Sequence, residues 1–125
     1  MIKISEEQII LMHKQLIERY GGQHGVRDYA LLASALNTPY QGFGGLEFYP
    51  TIIEKAVRLC VGLVVNHPFC DGNKRIGALA LLTTLDINGL TLTTNNEELS
   101  EIILKLASGT IEYKGLLKWT QERIS

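Results

Sequence analysis

Residues 51–89 of the chain read TIIEKAVRLCVGLVVNHPFCDGNKRIGALALLTTLDING. The first part of this stretch is apolar at intervals of three and four residues, which predicts an amphipathic helix. Thr51 and Glu54 have the spacing of a capping box at its start. Pro68 disfavours helical geometry in the residue before it, so the helix should end at Asn66 or His67. Its predicted apolar face comprises Ile52, Ile53, Ala56, Val57, Cys60, Val61, Val64 and Val65.

The second part predicts a helix that begins near Asn73 and ends at Gly89, since glycine commonly terminates helices. This helix, residues 73–88, is apolar on almost every side, which is typical of the centre of a bundle. Capping residues and apolar periodicity predict four further helices, and no stretch predicts a convincing β-sheet. These should cover residues 5–20, 29–36, 97–107 and 112–124. We therefore predict an all-α fold, a single domain over residues 1–125 with about six helices around the central helix 73–88.

Between the second and third predicted helices, residues 37–50 (NTPYQGFGGLEFYP) lose the helical period. Three glycines beside Phe43, Leu46 and Phe48 suggest a short flap or loose hairpin at residues 40–49. Loop statistics alone favour a plain surface connection. Aromatic side chains on a flexible loop are also suited to gripping the backbone of a partner, so both interpretations stay open.

The overall composition excludes several classes of protein. Of 125 residues, 46% are apolar, which is enough for one core, and 12 basic against 13 acidic residues give a net charge of -1. Such a chain has no bulk attraction to nucleic acid or to an anionic membrane, so neither is an expected partner. Cys60 and Cys70 lack the neighbours of a structural zinc site. With no signal-peptide or membrane-span pattern, these features predict a reduced, cytoplasmic protein.

The polar segment between the two apolar helices, HPFCDGNKR at residues 67–75, concentrates groups suited to a polyphosphate. At Gly72, Asn73 and Lys74 the buried helix begins, so its free N–H groups and its dipole favour an anion there. Gly72 also lets a phosphate approach the backbone closely. Arg75 adds a fork of donors that matches phosphate oxygens, and Lys74 adds a point charge. Two cations at a helix N-terminus are otherwise unfavourable.

Other residues of this segment each allow a functional and a structural interpretation. Asp71 can hold Mg²⁺ against the phosphates or simply cap the helix, and the two are compatible. His67 can take a proton from an attacking hydroxyl, although a lone histidine at a helix end more often binds a carbonyl. Phe69 is expected to anchor the loop in the core. Cys70 is expected to be a spacer.

The stretch HPFCDGNKR resembles the signature of the Fic family, HPFx(D/E)GN(G/K)R, and specifically its death-on-curing (Doc) toxin branch. Eight of the nine positions are specified by that pattern. The resemblance continues in ISEEQIILMHKQLIERYGG, GVRDYALLASALNTP, GGLEFYP with EKA, and the NG that closes the fourth helix, so it covers residues 2–122.

This resemblance implies a six-helix Fic fold that uses ATP and Mg²⁺. His67 would be the catalytic base, Phe69 the structural anchor and Asp71 the Mg²⁺ ligand. The anion hole would be formed by Gly72, Asn73 and Lys74, with Arg75 on the phosphates. The loop at 40–49 would be a flap that holds the backbone of the target protein through Phe43, Leu46 and Phe48.

The reaction type implied by the resemblance depends on two positions. AMP-transferring Fic enzymes have glycine where this chain has Lys74, and a second arginine where it has Ala78. In the Doc branch the lysine accompanies an inverted ATP, which implies transfer of the γ-phosphoryl group to a protein of the elongation factor Tu type. Gly72 departs from Doc itself, so AMP transfer (AMPylation) is the alternative.

An inhibitory helix motif, (S/T)xxxE(G/N), is present in some Fic proteins and absent here, since Thr93 to Glu97 and Thr94 to Glu98 have only its spacing. The resemblance therefore implies the toxin of a type II toxin–antitoxin module whose separate antitoxin inhibits it in trans. Two further hypotheses are an RNA-cleaving toxin, which the near-neutral charge disfavours, and an inactive Fic-fold binding module.

Overall fold

The centre of the molecule is formed by two helices, α3 (Ile52–Asn66) and α4 (Asn73–Ile87), in a computed structural model that describes residues 1–125. At the start of α3, Thr51 and Glu54 make both bonds of the predicted capping box. Helix α4 is central as predicted, but α3 is more enclosed, with nine buried residues against six on α4. Val65, assigned to the apolar face of α3, is 49% exposed.

Two glycines allow this central packing. A Cβ atom on Gly62 of α3 would lie 2.9 Å from the Cβ of Ala35 in the helix packed against it. A Cβ atom on Gly77 of α4 would overlap the side chain of Val64 on α3 and would lie 3.4 Å from the Cys60 carbonyl. Both contacts are close because glycine has no side chain.

The remaining helices surround this pair: α1 (Glu6–Tyr20), α2 (Tyr29–Asn37), α5 (Asn96–Ala107) and α6 (Tyr113–Gln121). Ser5, Asp28 and Asn95 cap α1, α2 and α5 through their side chains. A short 3-10 helix, Thr38–Tyr40, follows α2. All six predicted helices are present, which confirms the all-α class. None of them is both long and apolar enough to cross a membrane.

Helix α6 is shorter than predicted, because the chain after Gln121 makes extended contacts instead of continuing the helix. Ile124 forms an isolated bridge with Leu92. Ser125 donates its backbone N–H to the Thr91 carbonyl at 3.0 Å, and Arg123 accepts a bond from the Thr93 N–H at 2.8 Å. These bonds to a distant segment replace the helical bonds that periodicity alone predicted.

Two apolar cores lie on either side of the central pair. One lies between α3, α4, α5 and α6. The other joins α1, α2 and the opposite faces of α3 and α4, and it includes Phe69 from the loop between them. Its buried members are Ile4, Ile9, Leu32, Ala35, Leu59, Leu63, Phe69, Ile76 and Ala80.

The predicted flap is a hairpin of two short antiparallel strands, β1 (Gly42–Phe43) and β2 (Leu46–Glu47). Gly44 and Gly45 make the turn at φ +60° and +81°, a conformation that favours glycine. The side chains of Phe43, Leu46 and Phe48 are 82%, 75% and 60% exposed. This confirms a hairpin at residues 40–49, with its large apolar side chains facing solvent.

Substituting Gly77 tests the central packing. We expect Gly77→Ala to lower the free energy of unfolding by about 1–3 kcal/mol, because overpacking against α3 outweighs the helix propensity gained from alanine. Urea denaturation monitored by circular dichroism measures the change. Thr83→Ala on the same helix is the control and should stay within about 0.5 kcal/mol. Wild-type stability in Gly77→Ala would contradict the packing described above.

Candidate active site

The polar loop between α3 and α4 has a residue in the left-handed backbone conformation at each end. His67 follows α3 with φ 51° and ψ 58°, and Gly72 precedes α4 with φ 72° and ψ 19°. His67 is the one residue other than glycine with a positive φ. This backbone conformation is unfavourable for a side chain with a Cβ atom, so surrounding contacts must hold it in place.

Arg27, in the connection between α1 and α2, supplies the contacts that hold His67. Its Nε donates to the His67 carbonyl at 2.7 Å, and its Nη2 donates to the Asn66 carbonyl at 3.0 Å. These bonds satisfy carbonyls at the end of α3 that have no helical partner. The backbone N–H of Arg27 also donates to the Pro68 carbonyl at 2.8 Å. Arg27 has no predicted role from sequence, because nothing local marks an arginine that acts 40 residues away.

Phe69 is buried and stacks on His13 of α1, with ring centroids 3.8 Å apart and ring planes at 11°. His13 is also buried, and its Nε2 lies 2.7 Å from the Asp71 carbonyl oxygen. The carbonyl can only accept, so Nε2 carries the proton and donates it. Burial lowers the pKa of His13, although the bond to the Asp71 carbonyl raises it. A neutral imidazole thus holds the loop one residue before Gly72. Helical spacing alone would place His13 on the apolar face of α1 and would give it no further role.

The side-chain amide of Asn73 binds the backbone of the loop. Its Oδ1 accepts from the Phe69 N–H and its Nδ2 donates to the Phe69 carbonyl, each at 3.0 Å. Both polar atoms of the side chain are therefore engaged within the loop, and the backbone N–H of Asn73 is free for an anion.

The start of α4 has the features of an anion site. The first helical bond runs from the Ile76 N–H to the Gly72 carbonyl at 3.0 Å, and the N–H groups of Asn73, Lys74 and Arg75 have no acceptor in the protein. Such groups attract anions, and the helix dipole adds to the attraction. The side chains of Lys74 and Arg75 are exposed beside them.

The Asp71 carboxylate lies at the edge of this anion site. Its Oδ1 accepts from the Gly72 N–H at 2.8 Å and its Oδ2 from the Gln23 N–H at 3.1 Å. The Gln23 bond, then the Gly72 bond and the nearby charge of Arg75, lower the pKa of Asp71, so it is ionised at neutral pH. A Cβ atom on Gly22 would lie 2.7 Å from Oδ2, so this glycine leaves room for the carboxylate.

A magnesium ion fits this donor set only as part of a complex with phosphates. No group of three histidine, cysteine, aspartate or glutamate side chains could hold a metal ion. Mg²⁺ commonly binds one or two carboxylates, substrate phosphates and several waters. One ionised carboxylate beside an anion site matches that description.

All the residues that the sequence analysis assigned to the base, the metal and the phosphates line one cavity of about 520 Å³. Its lining comprises Arg27, His67, Phe69, Cys70, Asp71, Gly72, Asn73, Lys74 and Arg75. A second, more apolar groove of about 420 Å³ shares Lys74 and Arg75 with this cavity and continues between α1 and α5. The flap residues Phe43, Leu46 and Phe48 are not part of either lining.

This arrangement has the parts of a phosphoryl-handling site. Free N–H groups and two side-chain cations can hold a polyphosphate, and an ionised carboxylate can hold its cation. The exposed imidazole of His67 opens into the same cavity, where it can accept a proton.

Comparisons with known proteins agree with one another. The sequence profile of the Fic/DOC family matches residues 3–85. "Toxin Doc" of Mycolicibacterium smegmatis is 42% identical over 73 residues, which are 58% of this chain and 56% of that protein's length. "Protein kinase doc" of Escherichia phage P1 is 31% identical over 108 residues, which are 86% of this chain and 84% of that protein.

The buried position of His13 predicts a pH dependence of stability. Since the pKa of His13 in the folded protein lies below 6.5, the unfolded chain binds more protons in the window just below pH 6.5. The free energy of unfolding should therefore be at its full value above pH 6.5 and should decrease as the pH falls through this window. Urea titrations at several pH values measure the slope.

Two variants identify the group that is responsible for this pH dependence. His13→Gln should flatten the pH dependence in the window just below pH 6.5, because glutamine does not titrate. His24→Gln, at an exposed histidine whose charge helps to lower the pKa of His13, should only lessen the slope. An unaltered slope in His13→Gln would show that another group is responsible.

Proposed function

The chain belongs to the Fic/DOC family, and on that premise we propose that it is the toxin of a type II toxin–antitoxin module. It transfers the γ-phosphoryl group of ATP to a hydroxyl of a target protein. The observation that carries this proposal is the single cavity in which His67, Asp71 and the free N–H groups of residues 73–75 meet. Its relatives are named as a toxin and as a protein kinase.

In the proposed reaction, the cavity binds the triphosphate of ATP at the start of α4. The N–H groups of Asn73, Lys74 and Arg75 donate to phosphate oxygens, and the charges of Lys74 and Arg75 stabilise the developing negative charge. Mg²⁺, held by Asp71 and the phosphates, would neutralise phosphate charge when bound. His67 accepts the proton of the target hydroxyl while the hydroxyl oxygen bonds to the γ-phosphorus. The bond from that phosphorus to the β–γ bridging oxygen breaks, ADP leaves, and His67 returns the proton to solvent.

Transfer from the γ rather than the α position is proposed because of Lys74 and Ala78. Lys74 introduces a long cationic side chain at the anion site, where the AMP-transferring pattern has glycine. Ala78 lies in the lining of the adjoining groove and offers no guanidinium to bind further phosphates. One end of the polyphosphate site is therefore less cationic than in the AMP-transferring pattern.

The flap is proposed to hold the target protein. Its strands are two residues long and present Phe43, Leu46 and Phe48 to solvent. A hairpin of this kind can pair with an extended segment through its backbone while the apolar side chains hold that segment's side chains. The resemblance to the death-on-curing branch suggests elongation factor Tu as the target.

An antitoxin that acts in trans is also proposed. Glu98, one of the two glutamates with the spacing of the inhibitory motif, contacts Thr94 at 3.2 Å and Arg123 at 3.7 Å. Its carboxylate is therefore engaged by groups other than Arg75. The groove beside Arg75 is lined by Leu16 and Tyr20 of α1 and by Leu99 and Ile103 of α5. An apolar helix of a partner could lie there and cover Arg75.

Transfer of labelled phosphate tests the reaction. The protein is incubated with ATP labelled at either the α or the γ phosphate, first with cell extract and then with purified elongation factor Tu. We expect label only from the γ position. His67→Ala should lower the rate by about 10²–10⁴, the usual effect of removing a general base. His24→Ala, outside the cavity, is the matched control. Label from the α position would show AMP transfer, and unchanged transfer by His67→Ala would refute the role of His67.

Substitution of Lys74 and Ala78 tests what decides the reaction type. Lys74→Gly alone should reduce γ transfer, because a phosphate-binding charge is lost. The double variant Lys74→Gly/Ala78→Arg restores the AMP-transferring pattern, so label from the α position should appear. Exclusive γ transfer by the double variant at wild-type rate would show that these positions do not control nucleotide orientation.

A further inference from the structure

Lys55 is the only lysine or arginine that is buried, with 6% of its surface exposed. It lies in the first turns of α3, and its Nζ is 2.9 Å from Glu47 Oε1 on strand β2. The same ammonium donates to the Tyr49 carbonyl. It also lies 5.8 Å from the centre of the Tyr40 ring. The hydrogen-bond, ion-pair and cation–π partners of this ammonium thus all belong to the flap at residues 40–49.

Burial of a lysine ammonium is unfavourable unless it is paired and hydrogen-bonded. Lys55 is far from the nucleotide cavity and lines neither that cavity nor the adjoining groove. Its partner Glu47 keeps 55% of its side chain exposed, so the buried partner of the pair belongs to the helix and the exposed one to the hairpin. The pair therefore connects a rigid element to a surface hairpin.

The strands of the hairpin have few other side-chain contacts, although Tyr49, just after them, packs edge-on against Tyr113 of α6 with ring centroids 5.4 Å apart. Phe43 and Leu46 are exposed and pack against no core. The only side-chain hydrogen bonds made by residues 41–49 are those that Glu47 and Tyr49 accept from Lys55. The remaining bonds are local backbone bonds, such as that from the Phe48 N–H to the Gln41 carbonyl at 3.0 Å. Without Lys55, the position of the hairpin relative to α3 would be weakly determined.

We propose that Lys55 is a positioning residue that fixes the flap relative to the catalytic base. Helix α3 holds Lys55 near its start and is followed directly by His67 at its end. The twelve residue steps from Lys55 to His67 span roughly 18 Å, at about 1.5 Å per step of helix. Because the helix is buried along its length, it holds the flap and His67 at a constant separation. This proposal rests on the proposed function in one respect, namely that the flap binds the target protein.

Backbone dynamics test the structural part without any need for activity. Order parameters from ¹⁵N relaxation of the amides of residues 42–48 should be near about 0.85 in the wild type. In Lys55→Met, which keeps the aliphatic stem, they should fall below about 0.6. Lys55→Arg should keep them high, because it retains the charge and the donors. Equal order in Lys55→Met and wild type would overturn the proposal.

Kinetics test the functional part, with purified elongation factor Tu as substrate. Lys55→Met should raise KM for this protein about tenfold, as expected from loss of a hydrogen bond to a charged group, and should leave KM for ATP unchanged. Glu47→Gln, on the surface, should also raise only the KM for the protein substrate, by a smaller factor. Lys55→Arg should keep this KM close to that of the wild type. Equal increases in both KM values, or none, would overturn the role in positioning.

The two proposals fail in different ways. If the wild type transfers no label from either nucleotide to any protein, the proposed function fails while the order parameters still report on Lys55. If the wild type is active and Lys55→Met lowers only the melting temperature, Lys55 is purely structural and the positioning role is wrong. Glu47→Gln keeps this distinction measurable even if Lys55→Met folds poorly.

Discussion

The chain must turn from one buried helix into the next within six residues, between Asn66 and Asn73, and the rest of the site depends on this constraint. The turn is made by a left-handed residue at each end, His67 and Gly72. The first N–H groups of α4 have no intrahelical acceptor, as at any helix start, and Gly72 in the capping position has no side chain that could bind them. The anion site is therefore a consequence of how two core helices are connected.

Two distant segments and the first residue of α4 stabilise this connection through side-chain hydrogen bonds. The guanidinium of Arg27 binds two carbonyls at the end of α3. The neutral imidazole of His13 binds the Asp71 carbonyl and stacks on Phe69. Asn73 closes the loop on itself through two bonds to Phe69. The loop is thus preorganised, which is what a site that stabilises a developing charge requires.

Charge in this protein is local rather than global. With a net charge of -1, the chain has no general affinity for anions. Lys74 and Arg75 nevertheless lie at a helix N-terminus, where the helix dipole already attracts anions. Asp71 balances these cations at the rim, and backbone bonds keep its pKa low. Near the opposite end of α3, the buried ammonium of Lys55 contacts Glu47 of the flap hairpin. One helix therefore connects the phosphate site to the surface on which a target protein is proposed to bind.

Sequence alone determined most of the helices, because caps such as Ser5 with Gln8 and breakers such as Pro68 act within a few residues. It also placed the residues of the candidate site, since nine consecutive positions carry them and a short loop keeps them together. Only the tertiary structure decided what holds that loop, because the contacts of His13 and Arg27 span 58 and 40 residues. The end of α6 and the burial of Lys55 were likewise decided by segments that come together only in the folded chain, and no periodicity records such contacts.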